Sequence, residues 1–285
     1  MVGALLTAAA VIGLTPQQKA GLVIVSGLPA APYAGGVIVR QWDRDQPRPM
    51  RALAYADQEG GEVKTFPSIP PWQAASRFTT KREAYASGIA TARGLRQAGV
   101  AVDLGPVLDL PDGPLGTRQF SSPFLGVAFA RGLAVGGVAA CVKHFPGLGS
   151  LPISTDEQLY VHGRVRDRDL APYRAAIEAG VPCVMVGHGI YSNLGPKRAV
   201  LEPAAYRLLR GMGFDGVAIT DSLGILGDEL APLWAVQAVR AGADLVLFTS
   251  ARDAARAQRG LVALARRGEL DEHVERVLEF RARYR

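Results

Sequence analysis

The sequence predicts an α/β protein folded as a (β/α)8 barrel of the TIM type, irregular at its first two strands. Eight short, β-branched apolar segments recur along the chain, and amphipathic segments with helical spacing separate most of them. Several of the apolar segments end in a charged residue. The 285 residues suffice for one barrel of about 250 residues. No linker divides the chain, so we expect a single catalytic domain over residues 1–285.

The predicted strands are apolar on both faces, which is typical of parallel strands that other elements cover. In chain order they are 21–27, 35–39, 51–57, 100–107, 138–144, 182–188, 216–222 and 244–250. The connection between the first two is short and rich in proline, whereas a regular parallel crossover needs a dozen or more residues. We therefore expect either an antiparallel second strand or an irregular barrel at this point.

The predicted helices follow from apolar spacing and from the residues at their ends. Thr15 and Pro16 are typical of a helix start and predict a short helical turn before the first strand. The other helical segments are 81–97, 125–135, 169–178, 202–212, 233–240, 251–268 and 271–284. A doubly wound open sheet is the alternative fold, but its dinucleotide-binding form lacks support because no G-x-G-x-x-G follows the first strand.

Composition narrows the class of protein. The net charge is +6, but the basic residues are dispersed along helices such as 251–268 and are not clustered with aromatic residues, so no nucleic-acid partner is expected.

The N-terminal apolar run 2–14 is too short to span a bilayer, and it lacks the positive start of a signal peptide. We expect a cytoplasmic protein without membrane insertion; export is the minority alternative.

The two cysteines, Cys141 and Cys183, each lie inside a predicted strand. A buried free thiol is the ordinary state of such a residue. Two cysteines make neither a disulfide framework nor a metal site by themselves.

Ionisable residues follow the apolar strands at the end where such barrels carry their active sites. One such residue alone is often a helix cap or a hydrogen-bonded core residue. Several together indicate a functional rim, because each buried charge needs compensation. The residues are Asp57, Asp109, Lys143, His144, His188 and Asp221.

These residue types favour carboxylate chemistry on a sugar. The chain has no G-x-S-x-G elbow and no Ser or Cys nucleophile beside a base. His144, His188 and Asp221 could bind a metal ion, as in barrel hydrolases, but such sites typically need more histidines than the four present. A retaining glycosidase needs one carboxylate as nucleophile and a proton donor across the glycosidic bond.

Five motifs together resemble, in order and spacing, the catalytic barrel of glycoside hydrolase family 3. Within that family the chain is most similar to the single-domain β-N-acetylglucosaminidases of bacterial cell-wall recycling, and the resemblance extends over nearly the whole chain. The motifs are D-Q-E-G-G at 57, L-G-T-R-Q-F at 115, K-H-F-P-G at 143, V-M-V-G-H at 184 and G-F-D-G-V-A-I-T-D-S-L at 213.

The resemblance implies roles for the matching residues. Asp221 would be the nucleophile, and nearby Lys143 and His144 would hold its carboxylate ionised. The resemblance also implies no metal or other cofactor, a carbohydrate as the partner, and a monomer. The residues that would bind the hydroxyls of the sugar or line its pocket are Asp57, Arg118, Lys143, His144, His188 and Asp109.

The loop after K-H-F-P-G departs from the family pattern. In the recycling enzymes this loop supplies a histidine as acid/base with an aspartate behind it, whereas here Asp156 and Ser154 occupy those positions in an ungapped alignment. Asp156 is the first candidate for the proton donor, with Glu157 and His162 as alternatives. A carboxyl could serve if a closed loop raised its pKa. Apolar residues that would close the loop are Leu148, Leu151 and Ile153.

We therefore expect an exo-acting retaining β-glycosidase that forms a covalent glycosyl-enzyme intermediate. The expected activity is that of a β-N-acetylhexosaminidase on peptidoglycan-derived or other β-linked amino sugars. Two alternatives remain: a β-glucosidase, and a non-catalytic glycan-binding barrel that has lost its acid/base.

Overall fold

The computed structural model describes residues 11–284, except for the side chain of Asp228. Most of the predicted N-terminal apolar run therefore lies outside the described residues. The strands, in chain order, are β1 (Ile24–Ser26), β2 (Gly36–Val39), β3 (Leu53–Ala56), β4 (Gln58–Gly60), β5 (Val63–Lys64), β6 (Val102–Asp103), β7 (Ala139–Phe145), β8 (His162–Gly163), β9 (Cys183–Val186), β10 (Ile190–Tyr191), β11 (Val217–Thr220) and β12 (Val246–Phe248).

Eight of these strands form one parallel sheet that curls into a nearly closed barrel. Their order in the sheet is β11-β9-β7-β6-β3-β2-β1-β12. A parallel bridge between Ile219 and Leu245 joins the two ends of the sheet, and Thr220 donates its backbone N–H to the Leu245 carbonyl at 3.0 Å. The predicted barrel is confirmed. Two small pairs, β4 with β5 and β8 with β10, stand apart from this sheet.

Of the two alternatives expected for the second strand, the antiparallel one is wrong. β2 runs parallel to β1, with Val25 opposite Gly36 and Ser26 opposite Val37. The connection needs no helix because β1 has three residues and spans only about 10 Å. The irregular chain from Gly27 to Gly35 is long enough to return over that distance.

The helices surround the barrel, and the predictions for 81–97 and 271–284 are confirmed at both ends. Thr15 caps the first helix as predicted: its hydroxyl accepts the Gln18 N–H at 3.2 Å and its own N–H binds Gln18 Oε1 at 2.8 Å. Within residues 11–284 we find no helix with the length and apolarity needed to cross a bilayer. The helices are α1 (Pro16–Leu22), α2 (Lys81–Gln97), α3 (Pro123–Val135), α4 (Asp167–Glu178), α5 (Pro203–Gly211), α6 (Ala231–Ala241), α7 (Ala251–Ala265) and α8 (Asp271–Tyr284).

The prediction of free thiols is also wrong, because Cys141 and Cys183 form a disulfide bond. The two residues are register partners on the neighbouring strands β7 and β9, and their Cα atoms lie 4.3 Å apart. Both side chains point into the barrel interior, so each thiol has the other as its neighbour. The bond ties the strand that carries Lys143 to the strand that precedes His188.

Helix α8 closes the amino-terminal end of the barrel. Its residues Val277 and Phe280 pack among the side chains that fill the barrel interior. Lys19 of α1 forms an ion pair with Asp271 at 2.6 Å, and Arg281 donates to the carbonyls of Gly35 and Arg51. The last helix is therefore the floor of the barrel. The interior residues from the strands are Val25, Ile38, Leu53, Tyr55, Val102, Leu104, Ala139, Cys141, Cys183, Met185, Val217, Ile219, Leu245 and Leu247.

A buried carboxylate, Asp244, anchors this floor. Its Oδ1 accepts from Arg276 Nε at 2.7 Å and from His273 Nδ1 at 3.0 Å. Its Oδ2 accepts from Arg210 Nη2 at 2.6 Å and from the Ala218 N–H at 2.8 Å. Burial opposes its ionisation, but the histidine and the two arginines hold the pKa of Asp244 below its usual value.

We expect Asp244→Asn to destabilise the protein by about 3–5 kcal/mol, because it breaks the network around a buried carboxylate and leaves two partly buried arginines without their counter-charge. Urea unfolding of the variant against the parent protein measures this loss. Asp215→Asn is the control, since Asp215 is exposed near the same end of the barrel. Equal stability of the two variants would show that Asp244 does not anchor the floor.

Candidate active site

A cavity of about 280 Å³ opens at the carboxyl ends of the barrel strands. Apolar side chains of the barrel interior, among them Leu104, Met185 and Leu247, form its base. The sequence predictions place eight residues at this site, and six of them line the cavity. These are Asp57, Arg118, Lys143, His144, Asp156 and Asp221.

Four charged side chains beside the cavity form one ion cluster, consisting of Asp57, Glu59, Arg118 and Lys143. Lys143 Nζ lies 2.6 Å from Asp57 Oδ1 and 2.7 Å from Glu59 Oε1. Arg118 binds Glu59 in a bidentate manner, with Nε and Nη2 each 2.9 Å from a carboxylate oxygen. Lys143 and Glu59 are buried, whereas 34% of the Asp57 side chain is exposed. Asp57 is thus the carboxylate of the cluster that a ligand can reach.

The D-Q-E-G-G motif positions both carboxylates of the cluster. Asp57 directly follows β3, and Glu59 lies on β4 in the hairpin that comes next. Gly60 has a φ of 98°, and a Cβ at this position would lie 2.4 Å from the Gln73 carbonyl oxygen, so glycine is required there. The buried Gln58 side chain binds the backbone of Phe66 at 3.0 Å and holds the hairpin to the next loop.

Arg118 reaches the cluster from a 3-10 turn, Gly116–Arg118. Gln119 fixes the turn: its side chain is buried, it accepts the Leu115 N–H at 3.0 Å, and it donates to the Leu110 carbonyl. The guanidinium therefore approaches Glu59 from a loop with its own hydrogen-bonded support.

The charges of the cluster stabilise one another. Burial would raise the pKa of Glu59, but Lys143 and Arg118 lower it to about 2. Burial likewise opposes the charge of Lys143, but Asp57 and Glu59 raise its pKa above the usual value. Glu59, Lys143 and Arg118 are therefore charged at neutral pH. Glu59 was not among the predicted site residues, although the D-Q-E-G-G motif contains it.

Asp109 does not line the cavity, contrary to the prediction, because it is buried behind His144 with 1% of its surface exposed. His144 Nδ1 donates to Asp109 Oδ2 at 2.8 Å, and the Leu148 N–H donates to Asp109 Oδ1 at 2.8 Å. Asp109 thus orients the imidazole, leaves its Nε2 for a ligand, and fixes the start of the following loop.

His188 is also absent from the cavity wall, contrary to the prediction. It is 1% exposed, and Nε2 donates to the Ser222 carbonyl at 3.0 Å. Burial lowers the pKa of His188 below its usual value. The hydrogen bond to the Ser222 carbonyl holds the turn after Asp221. Among the described residues, no group of three or more His, Cys, Asp or Glu side chains is arranged to hold a metal ion.

Asp221 lies at the carboxyl end of β11 and lines the cavity. Its Oδ1 accepts the Ser222 N–H at 2.7 Å. Burial opposes its ionisation, but His188, His144, the Ser222 N–H and Lys143 together hold the pKa of Asp221 below its usual value. The carboxylate is therefore ionised at neutral pH and available as a nucleophile.

The loop after Pro146 brings Asp156 to the same cavity. The predicted apolar enclosure of this carboxyl is wrong: 64% of its side chain is exposed, and its ion-pair partner is Arg118 Nη1 at 3.5 Å. Leu148 and Leu151 are buried in the protein core and do not cover it. Neither Glu157 nor His162, the alternative donors, lines the cavity.

Arg198 anchors the far end of this loop. Its side chain is buried, it donates to the Leu159 carbonyl, and its guanidinium lies 4.7 Å from the centre of the Tyr160 ring. The loop is therefore fixed at both ends, by Asp109 at Leu148 and by Arg198 at Leu159. Asp156 lies on the segment between them.

Comparison with known proteins shows the family of the chain. The model of the glycosyl hydrolase family 3 N terminal domain matches residues 32–280. The chain belongs to this family. A beta-hexosaminidase of Xylella fastidiosa is 35% identical over 207 residues, which cover 63% of this chain and 60% of the relative. A beta-hexosaminidase of Bordetella parapertussis is 31% identical over 272 residues, which cover 79% and 75% of the two chains.

Solved structures have the same fold, and one of them is described as a glycoside hydrolase of family 3. A β-N-acetylglucosaminidase from Paenibacillus is 27% identical with a TM-score of 0.84; the match covers 95% of this chain and 63% of that one. LpqI of Mycobacterium tuberculosis is 26% identical with a TM-score of 0.83, and the match covers 96% of both chains. The chain thus spans about three fifths of the length of the Xylella relatives but nearly all of LpqI.

We expect Glu59→Gln to destabilise the protein by about 3–5 kcal/mol at pH 7, because it leaves Lys143 and Arg118 with too little negative charge. The ordinary pKa of 4.5 falls to about 2 in the folded protein. The stabilising contribution is therefore present above pH 4.5 and is lost as the pH falls towards 2. Unfolding free energies measured from pH 7 to pH 2 should converge for variant and parent.

The control is Glu62→Gln, which removes an exposed carboxylate from the tip of the same hairpin. A constant difference between Glu59→Gln and the parent protein over the whole pH range would contradict the ionised cluster.

Proposed function

We propose that the protein is an exo-acting retaining β-N-acetylhexosaminidase. The observation that carries this proposal is the ionised Asp221 carboxylate in one cavity with Lys143, His144, Asp57 and Arg118. Membership of family 3 and the names of the relatives support the reaction and the amino sugar. The base of the cavity is closed by barrel side chains, which suits a terminal sugar unit.

In this proposal Asp221 attacks the anomeric carbon and forms a glycosyl-enzyme ester as the glycosidic bond breaks. Asp57 accepts a hydrogen bond from a sugar hydroxyl, and Lys143, Arg118 and His144 donate to hydroxyl oxygens. The ion cluster already fixes the side chains of Asp57, Lys143 and Arg118. These side chains therefore lose little orientational freedom when the sugar binds. Water then hydrolyses the ester and releases the sugar with overall retention of configuration.

Asp156 is the proposed proton donor to the leaving oxygen and the base that later deprotonates water. Its place in the cavity supports this role, and so does the absence of Glu157 and His162 from the cavity wall. Its exposure means that bound substrate would have to complete the apolar surroundings that raise the pKa of a carboxyl acid.

We further propose that the enzyme acts in the cytoplasm on amino sugars derived from peptidoglycan, as a monomer. The similarity to bacterial beta-hexosaminidases supports the sugar class. Release of N-acetylglucosamine from peptidoglycan fragments by the purified protein would test the proposed substrate class directly.

Asp221→Asn should abolish hydrolysis of aryl β-N-acetylglucosaminide, because the amide cannot form the ester intermediate. The fold should persist, since the Ser222 N–H can bind the amide oxygen in place of the carboxylate. Turnover and circular dichroism of the variant are compared with those of the parent protein, with aryl β-glucoside as a second substrate. Unchanged turnover would remove Asp221 from the nucleophile role.

Asp156→Ala should slow cleavage of substrates with poor leaving groups by about 10²–10⁴-fold, the usual contribution of a general acid. Activated aryl glycosides, whose leaving groups need little protonation, should be affected much less. Glu157→Ala is the matched control, because Glu157 is an exposed neighbour outside the cavity wall. Equal losses on both kinds of substrate would argue against the acid role.

A non-catalytic glycan-binding barrel remains the second candidate, and the exposed position of Asp156 is the observation that favours it. Calorimetric titration with N-acetylglucosamine beside the turnover assay separates the two. Binding without turnover of either aryl glycoside would establish the binding protein.

A further inference from the structure

Asp103 is a buried carboxyl that the mechanism above does not use. It ends β6, directly beneath the hairpin that carries Glu59, and it has no exposed surface. Its Oδ1 accepts the Gln58 N–H at 3.0 Å. Its Oδ2 has no hydrogen-bond partner among the described residues. Burying an ionised carboxylate with one oxygen that makes no hydrogen bond costs folding free energy. The ionised form of Asp103 is therefore unfavourable at this position.

The cations near Asp103 already have carboxylate partners. The groups that act on Asp103 are Lys143 on β7, Asp57 directly after β3 and Glu59 on β4. Lys143 pairs with Asp57 and Glu59, and Arg118 pairs with Glu59 and Asp156. A third negative charge at Asp103 would have no cation of its own.

We propose that Asp103 is held as a neutral carboxylic acid beneath the ion cluster, and that its neutrality keeps Lys143 bound to Asp57 and Glu59. Oδ1 remains the acceptor for Gln58, and Oδ2 carries the proton. If Asp103 lost this proton, its charge would attract Lys143 away from the two carboxylates that hold it. Asp103 is thus a positioning residue, which acts on the sugar site through Lys143.

The surroundings of the group agree with this assignment. Burial raises the pKa of Asp103 to about 7, and Asp57 and Glu59 add to the rise, whereas the Gln58 N–H and Lys143 oppose it. In the unfolded chain Asp103 loses its proton near its ordinary pKa of 3.8, whereas in the folded protein it keeps this proton up to about pH 7. The stabilisation from this proton is complete below pH 3.8 and is lost as the pH rises through about 7.

Asp103→Asn is the test, because the amide has the shape of the acid and is neutral at every pH. The unfolding equilibrium constant of the parent protein should rise relative to that of Asp103→Asn by about 100-fold between pH 5 and pH 8. Urea titrations at several pH values measure this ratio. Asp215→Asn, which removes an exposed carboxylate, should show no such trend. A ratio that stays constant with pH would overturn the proposal.

A second measurement reports on the proton itself. The parent protein at pH 5 should show an infrared carbonyl band of a protonated buried carboxyl that is missing in Asp103→Asn. The same band at equal strength in both proteins would contradict the assignment.

A kinetic measurement reports on the positioning role, and this part rests on the proposed function. In the parent protein KM should rise above about pH 7 as Lys143 is displaced, whereas in Asp103→Asn it should stay flat over that range. The same rise in both proteins would remove Asp103 from the positioning role. If neither aryl glycoside is turned over, the proposed hydrolase fails, but the stability ratio and the infrared band still decide the charge of Asp103.

Discussion

The neutralisation of one buried ammonium group, that of Lys143, organises the site. An isolated ammonium group in a barrel interior would be prohibitively costly, so two carboxylates approach it within 2.7 Å. One of them, Glu59, is itself buried and requires Arg118 as a second cation. The hairpin at the end of β3 and the turn before Gln119 are positioned to supply these partners. The charged rim of the cavity is thus a consequence of how the barrel compensates its own charges.

The residues at the strand ends divide into those that a ligand can touch and those that hold them in place. Asp57, His144 and Asp221 belong to the first group. Asp109 and His188 belong to the second, since each is buried and bonded to a neighbour of the cavity wall. Such support fixes reacting groups before the substrate arrives, which is the condition for efficient use of binding energy. The Asp156 side chain is 64% exposed and its ion pair with Arg118 is 3.5 Å long, so its carboxyl is the least fixed of the proposed reacting groups.

Local patterns in the sequence were sufficient to predict the barrel, most helix ends to within two residues, and four of the residues around the cavity. Those features depend on the alternation of apolar and polar segments, and strand ends always meet at one rim. Two further cavity residues, Arg118 and Asp156, were predicted from the resemblance to family 3. The residues that pair across neighbouring strands could not be predicted, because the sequence of one strand does not determine its register with the next. The disulfide, the parallel β2 and the burial of Asp109 and His188 all depend on such partners. Glu59 and Asp103 were missed for the same reason, although an aspartate inside an apolar strand is itself a signal of unusual surroundings.

The position of α8 has a consequence for how the chain acquires its fold during synthesis. The barrel floor is made by a helix that leaves the ribosome after all of the described strands, and this helix carries His273 and Arg276, two partners of Asp244. Chains fold progressively from the amino terminus as they emerge. Until α8 is available, the lower end of the barrel is open and the charge of Asp244 is only partly compensated. Closure of the barrel floor therefore waits for α8, and nascent chains expose the apolar interior until this helix has docked.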